Sequence, residues 1–180
     1  MLLAIDVGNT QTVFGTYDGR ELREHWRVAT DPNQSGDALG LMYGGFLDLT
    51  SIHAVALSTT VPQLSRSYHE FAARYTAARL LELGPGVRTG IPIRYDDPRE
   101  VGPDRIANSV AAAEKYGAPC IVVDFGTSTN FDVVSADGEY VGGVLAPGAA
   151  AIVEALEAEL PDPEDEILLD EMPISVYGGG

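Results

Sequence analysis

The chain has 180 residues, 45% of them hydrophobic, and a formal net charge of −16. That supplies a buried core for one ordinary domain or two small ones. No run approaches the roughly 18 uninterrupted apolar residues of a membrane span, and so acidic a surface disfavours nucleic acid and membranes as partners. All 11 Lys and Arg lie at or before Lys115, while 13 of the 27 acids follow it, nine of them between Glu154 and Glu171. This run reads as a solvated helix face and a loose tail. Met1 leads straight into an apolar stretch without a basic segment, which argues against a secretory signal. The single Cys120, in an apolar strand pattern, reads as a buried small residue in a reducing compartment. The expected location is cytoplasmic.

Residues 2–6, 11–17 and 21–29 alternate as three successive strands, and Asp18-Gly19 signals a tight hairpin between the last two. A helix is expected from Ser35 to about Thr50, with Leu39, Tyr43, Phe46 and Leu47 on one face, weakened by Gly44-Gly45. A short strand at 53–58 follows. Leu64, Tyr68, Phe71, Ala72 and Tyr75 then recur at helical spacing, and 80–83 is another strand. The Gly- and Pro-rich stretch 84–102 reads as a long loop, of a length that tends to be functional. A helix at 103–116 stops at Gly117. Strands near 119–124, 129–135 and 139–146 and a helix near 149–160 repeat the opening of the chain. One short strand near Ile167–Leu169 is expected within a Gly-ended tail.

This order predicts an α/β protein in two parts, with mixed sheets flanked by helices. Residues 1–117 form a complete unit, 118–160 the start of a second copy that stays incomplete, and 161–180 an acidic tail.

The repeat carries the chemistry. Asp6-Val7-Gly8-Asn9-Thr10 and Asp124-Phe125-Gly126-Thr127-Ser128 each end a strand with a carboxylate, a glycine turn and hydroxyl or amide side chains. Glycine lets backbone N–H groups approach phosphate oxygens, and Asn9, Thr10, Thr12, Thr127 and Ser128 can donate to them. A carboxylate beside a triphosphate needs a cation between, so Asp6 and Asp124 imply divalent metal, or a monovalent ion at one of them. The plainer alternative is that both acids merely close strand-end turns. No P-loop is present, because residues 84–90 lack its Gly-Lys-Ser/Thr ending. Asp104 stands at a helix start, where it either caps the helix or, favoured by the dipole as an anion, accepts the proton of an attacking alcohol. Arg105 offers a fork for carboxylate or phosphate, or is an ordinary surface arginine. His25, His53 and His69 show no metal-ligand spacing, and Trp26, Tyr43, Tyr68 and Tyr75 fit packing.

Asp6-Val7-Gly8-Asn9-Thr10, Ser58 through Pro62, Gly102-Pro103-Asp104-Arg105, Asp124-Phe125-Gly126-Thr127, Gly142-Gly143 and Pro147-Gly148 occur in order over residues 1–160. Together they resemble the type III pantothenate kinase family. The resemblance implies a duplicated ribonuclease-H-like (actin-like ATPase) fold and phosphorylation of pantothenate by ATP with Mg2+, the first step of coenzyme A biosynthesis. It implies that residues 6–13 (Asp6, Val7, Gly8, Asn9, Thr10, Gln11, Thr12 and Val13) and Thr127 bind ATP. Asp104 would be the proton acceptor, Tyr95, Gly102, Pro103, Asp104 and Arg105 would hold pantothenate, and Asp124 would coordinate a monovalent cation, K+ or NH4+. It further implies a homodimer. Pro103 stands where an alanine is common in that motif, compatible with a helix start. Relatives are longer, so a non-catalytic nucleotide-binding regulatory relative and an inactive kinase fragment are the alternative readings.

Overall fold

A computed structural model describes residues 1–84, 86–95 and 97–159, with side chains to residue 155. The expected strand near Ile167–Leu169 and the tail 161–180 lie outside the described residues. The chain opens with the antiparallel meander β1 (Leu2–Val7), β2 (Gln11–Asp18) and β3 (Glu21–Ala29). Gly19, at φ 60°, makes the Asp18-Gly19 turn. Helices α1 (Gly36–Gly44) and α2 (Pro62–Tyr75) flank β4 (Ala54–Thr59), and β5 (Arg79–Glu82) follows. The sheet order is β3-β2-β1-β4-β5, with β1, β4 and β5 mutually parallel.

Ser35 caps α1 by accepting from the Ala38 N–H at 3.2 Å. The helix was expected to reach Thr50 but ends at Gly44. Two adjacent glycines each cost about 1 kcal/mol relative to alanine in a helix, and the Gly45 N–H takes up carbonyls of the last turn. A separate 3-10 turn at Leu49–Ser51, capped by Asp48, completes the connection.

One sheet face is sealed. Leu3, Ile5, Val7 and Phe14 meet Leu39 and Tyr43 of α1 and Leu64, Tyr68, Phe71 and Ala72 of α2. Trp26 stacks on Phe14 at 5.2 Å, Tyr43 meets the same ring edge-on at 4.6 Å, and the Tyr43 and Tyr68 hydroxyls share a buried hydrogen bond. Each large side chain buried this way contributes about 1.5–3 kcal/mol.

Helix α3 (Pro103–Tyr116) contacts β4 of this sheet and also β6 (Cys120–Phe125) and β7 (Ser128–Val134) of the next. It therefore stands between the sheets and belongs to both. The second sheet is the antiparallel meander β6-β7-β8, with β8 spanning Tyr140–Pro147, and α4 (Ala149–Glu159) follows. Its register repeats the first: Ile5 pairs with Phe14 as Val123 pairs with Phe131. Cys120, expected to be buried, is half-exposed at the start of β6. The loop after β5 is not free. Ile93 bridges to Tyr140, whose N–H donates to the Pro92 carbonyl at 2.9 Å while its own carbonyl accepts from the Arg94 N–H at 2.7 Å. The loop is thereby pinned to the second sheet.

Candidate functional site

Strand alternation decides which side chains of the first hairpin reach the site. Leu3, Ile5 and Val7 point into the core, so Asp6 points the other way, towards α3. Thr12 lies opposite Val7 in the ladder and follows it inward. It is buried, with its hydroxyl bonded to Thr30 at 2.9 Å. The side chains of Val7 and Thr12 are thus not phosphate ligands, which corrects the expectation for Thr12. The Gly8 and Gly126 amides are not free either. They close the two turns by donating to the Gln11 carbonyl at 3.0 Å and the Ser128 carbonyl at 2.9 Å. Among the described residues, the amides of Asn9, Thr10 and Thr127 donate to no backbone carbonyl, leaving them as the available donors.

The two hairpins meet. Thr10 Oγ1 and Thr127 Oγ1, 117 positions apart in sequence, are hydrogen-bonded at 2.9 Å. Around them opens a cleft of about 750 Å³. Asp6, Asp104, Arg105 and Asp124 line it, with the turns Gly8–Gln11 and Gly126–Ser128 and the Val13 side chain. Asp6 and Asp124 thus share one cleft that reaches Asp104, the arrangement a two-sided phosphate grip requires.

The cleft is short of positive charge. Burial raises the Asp6 carboxyl above the usual aspartate range, and the charges of Asp104 and Asp124 raise it further, against the opposing pull of the Ser58 hydroxyl. Four carboxylates, Asp6, Glu100, Asp104 and Asp124, outnumber the two guanidiniums on the lining, Arg27 and Arg105, and Arg105 is already paired with Asp132, a balance that fits a cation arriving with an anionic ligand. Among the described residues no three acidic, His or Cys side chains gather closely enough to cage an ion. A Mg2+ ion would therefore rest on one or two carboxylates and complete its shell with phosphate oxygens and water, as that ion commonly does. Asp124 has one oxygen engaged: Asn108 Nδ2 donates to its Oδ2 at 3.1 Å.

Asp104 is the second residue of α3, after Pro103 at the first position. It does not serve as a cap. The N-cap is Gly102, which offers no side chain, and Asp104 Oδ1 is buried without a hydrogen-bond partner among the described residues. That oxygen folds back over Gly102 so closely that a Cβ there would collide with it.

Arg105 lines the cleft but is not a loose fork. Its Nε donates to Asp132 Oδ1 at 2.8 Å. Burial opposes its charge, yet the Asp132 hydrogen bond and carboxylate outweigh that and hold the guanidinium protonated. Tyr95 stands beside the cleft rather than in it, its ring against Gly142, and Pro103 lines a neighbouring cavity below α2. Sequence reasoning missed Asn108, Asp132 and Tyr140. The signal for Asn108 was its position four residues after Asp104, on the same helix face. For Asp132 it was an acid among the apolar residues of β7.

A family model described as type III pantothenate kinase matches residues 2–165. A type III pantothenate kinase of Moorella thermoacetica is 51% identical over 164 residues, covering 88% of this chain and 64% of the relative. One from Acidothermus cellulolyticus is 52% identical over 161 residues, covering 87% and 63%. The chain thus spans a little under two thirds of the length of these relatives. Among solved structures, a Campylobacter jejuni protein described as a Baf family transcriptional activator superposes with a TM-score of 0.55 at 16% identity, covering 88% of this chain and 61% of that one. A Sinorhizobium meliloti protein described as a 2-dehydro-3-deoxygalactonokinase gives 0.54 at 14% identity, over 89% and 57%. At such identities these two likenesses establish the fold alone, the duplicated actin-like ATPase architecture.

Proposed function

This chain belongs to the type III pantothenate kinase family, and from that premise we propose that it phosphorylates pantothenate with ATP, Mg2+ and a monovalent cation. The single observation that carries the reading is the shared cleft, in which two hydrogen-bonded hairpins and the Asp104 carboxylate line one space. Residues 1–117 and 118–160 act as the two ribonuclease-H-like jaws, with α3 as their common wall.

Asn9, Thr10 and Thr127 hold the phosphate tail through backbone and side-chain donors. Asp6 would help hold Mg2+, and Asp124, steadied by Asn108, would take K+ or NH4+. Mg2+ held there would supply positive charge against the transferring phosphoryl group. Asp104 accepts the proton of the pantothenate hydroxyl as that hydroxyl's oxygen bonds to the γ-phosphorus of ATP and the bond to the β–γ bridging oxygen breaks, releasing ADP, and Arg105 faces the substrate carboxylate. A homodimer and a cytoplasmic location complete the proposal.

The test mixes the chain with ATP, Mg2+, K+ and pantothenate and follows ADP release. Asp104→Asn is expected to lower the rate by about 100-fold or more. No release from the unsubstituted chain, despite thermal stabilisation by Mg-ATP, would point instead to a nucleotide-binding regulatory relative. Neither release nor stabilisation would mark an inactive fragment.

A further inference from the structure

Asp132 is as buried as any carboxylate described, at 1% exposure, and it lies outside the cleft on the central strand of the second sheet. Its Oδ1 accepts from Arg105 Nε at 2.8 Å and from the Tyr140 hydroxyl at 2.8 Å. Arg105 Nη2 also approaches that oxygen at 2.6 Å, without the alignment of a hydrogen bond. The other oxygen, Oδ2, has no partner among the described residues. A buried pair with an unsatisfied acceptor is a poor device for stability, because apolar residues of the same volume serve as well or better.

The surroundings are shaped around the pair. A side chain at Gly143 would collide with the Arg105 guanidinium, the Asp132 carboxylate and the Phe131 carbonyl. Tyr140, the third member, also pins the loop leading to Tyr95 through its backbone. One carboxylate therefore ties together the first turn of α3, the second sheet and the loop before α3.

We infer that Asp132 is a positioning residue: it locks the Arg105 guanidinium against the second sheet and thereby fixes the first turn of α3, with Asp104, at the wall of the cleft. An arginine has five N–H donors; the hydrogen bond to Asp132 uses Nε–H, and Nη2 is buried against Asp132 and Gly143, so Nη1 is the part of the fork that remains for an anionic acceptor. Without Asp132 the guanidinium has no fixed partner, and its rotamers reopen.

The inference rests on the acceptor role given above to this helix turn, and the experiment separates the two. Nitrogen-resolved NMR follows the Arg105 Nε–H and the amide protection of residues 102–105, while calorimetry measures pantothenate and Mg-ATP binding separately. In the unsubstituted chain the Nε–H signal is expected to be resolved and slow to exchange. Asp132→Asn is expected to lose that protection and weaken pantothenate binding about tenfold, with Mg-ATP affinity changed less than about twofold. Tyr140→Phe, which keeps both charges and guards against misfolding of the first variant, is expected to weaken pantothenate binding about threefold. A Nε–H that stays protected in Asp132→Asn, or pantothenate affinity that stays unchanged once protection is lost, overturns the inference. If the unsubstituted chain binds Mg-ATP but no pantothenate, the acceptor role is what fails. Loss of protection at residues 102–105 in Asp132→Asn then still upholds the positioning role, and retention removes it.

Discussion

The two sheets carry one pattern and meet opposite fates. Leu3, Ile5 and Val7 of β1 are 0%, 3% and 0% exposed, whereas their counterparts Ile121, Val123 and Phe125 of β6 are 67%, 43% and 82% exposed. Phe14 is 1% exposed and Phe131, in the matching register position, 39%. In the first unit α1 and α2 lie across these side chains, and no described residue plays that part in the second. The site face shows the reverse. There Asp6 and Asp124, Thr10 and Thr127 occupy equivalent places on one cleft. A repeated sequence thus specifies the hairpin and its acid locally, but burial of the opposite face depends on what else packs there.

The widest expected difference lies between equivalent core substitutions. Leu3→Ala should cost about 3 kcal/mol, within the range for buried Leu, and Ile121→Ala less than about 1 kcal/mol, because little area leaves water there. Urea denaturation measures both, and equal costs would erase the contrast between the two sheets.

Two glycines of the site differ in the same way. Gly102→Ala drives a methyl group into the Asp104 carboxylate, whereas at Gly126 a Cβ meets only ordinary contact with the Ser128 carbonyl, 3.5 Å away. ADP release should fall about 100-fold for Gly102→Ala, as expected for a displaced reacting group, and by less than about threefold for Gly126→Ala.

Asp6 is expected to trade stability for binding. Its raised carboxyl means that the folded chain holds the proton more tightly than the unfolded one. The associated stability is complete below the ordinary aspartate value of about 3.9 and declines as pH rises through the folded value. Asp6→Asn should therefore raise the Tm of the ligand-free chain at neutral pH and flatten the acid limb of its pH profile, while weakening Mg-ATP binding about tenfold. A lowered Tm in the absence of ligand would contradict the origin given to the shift. The smallest effect belongs to the hairpin contact. Thr10→Val removes an exposed hydrogen bond and should change Tm little, while weakening Mg-ATP about fivefold if Thr10 donates to phosphate.

Most elements were legible because their signals are local. Alternation in residues 2–29, the helical spacing from Leu64 to Tyr75 and the Pro103 start of α3 each fix an element within a few residues of chain. The overlong expectation for α1 failed where a single face, Leu39 to Leu47, outvoted two glycines whose local cost ended the helix. The loop before α3 hid its anchor because Tyr140 lies more than 40 residues further on, beyond any local periodicity. The site was legible as a set of residue types but not as contacts. Thr12 was assigned by its hydroxyl, when strand parity turns it to the core, and Asp132 was overlooked because its partner Arg105 is 27 positions away.

By itself the sequence determined the strand-acid-glycine-hydroxyl hairpins, their duplication and the helix start that carries Asp104, since these follow from backbone sterics and side-chain periodicity within short windows. Only the tertiary structure decided which of those residues share a cleft, which hydroxyls and amides are already taken, and that Asp132 holds Arg105. Those outcomes depend on contacts between segments far apart in the chain, where burial and charge act through space rather than along the backbone.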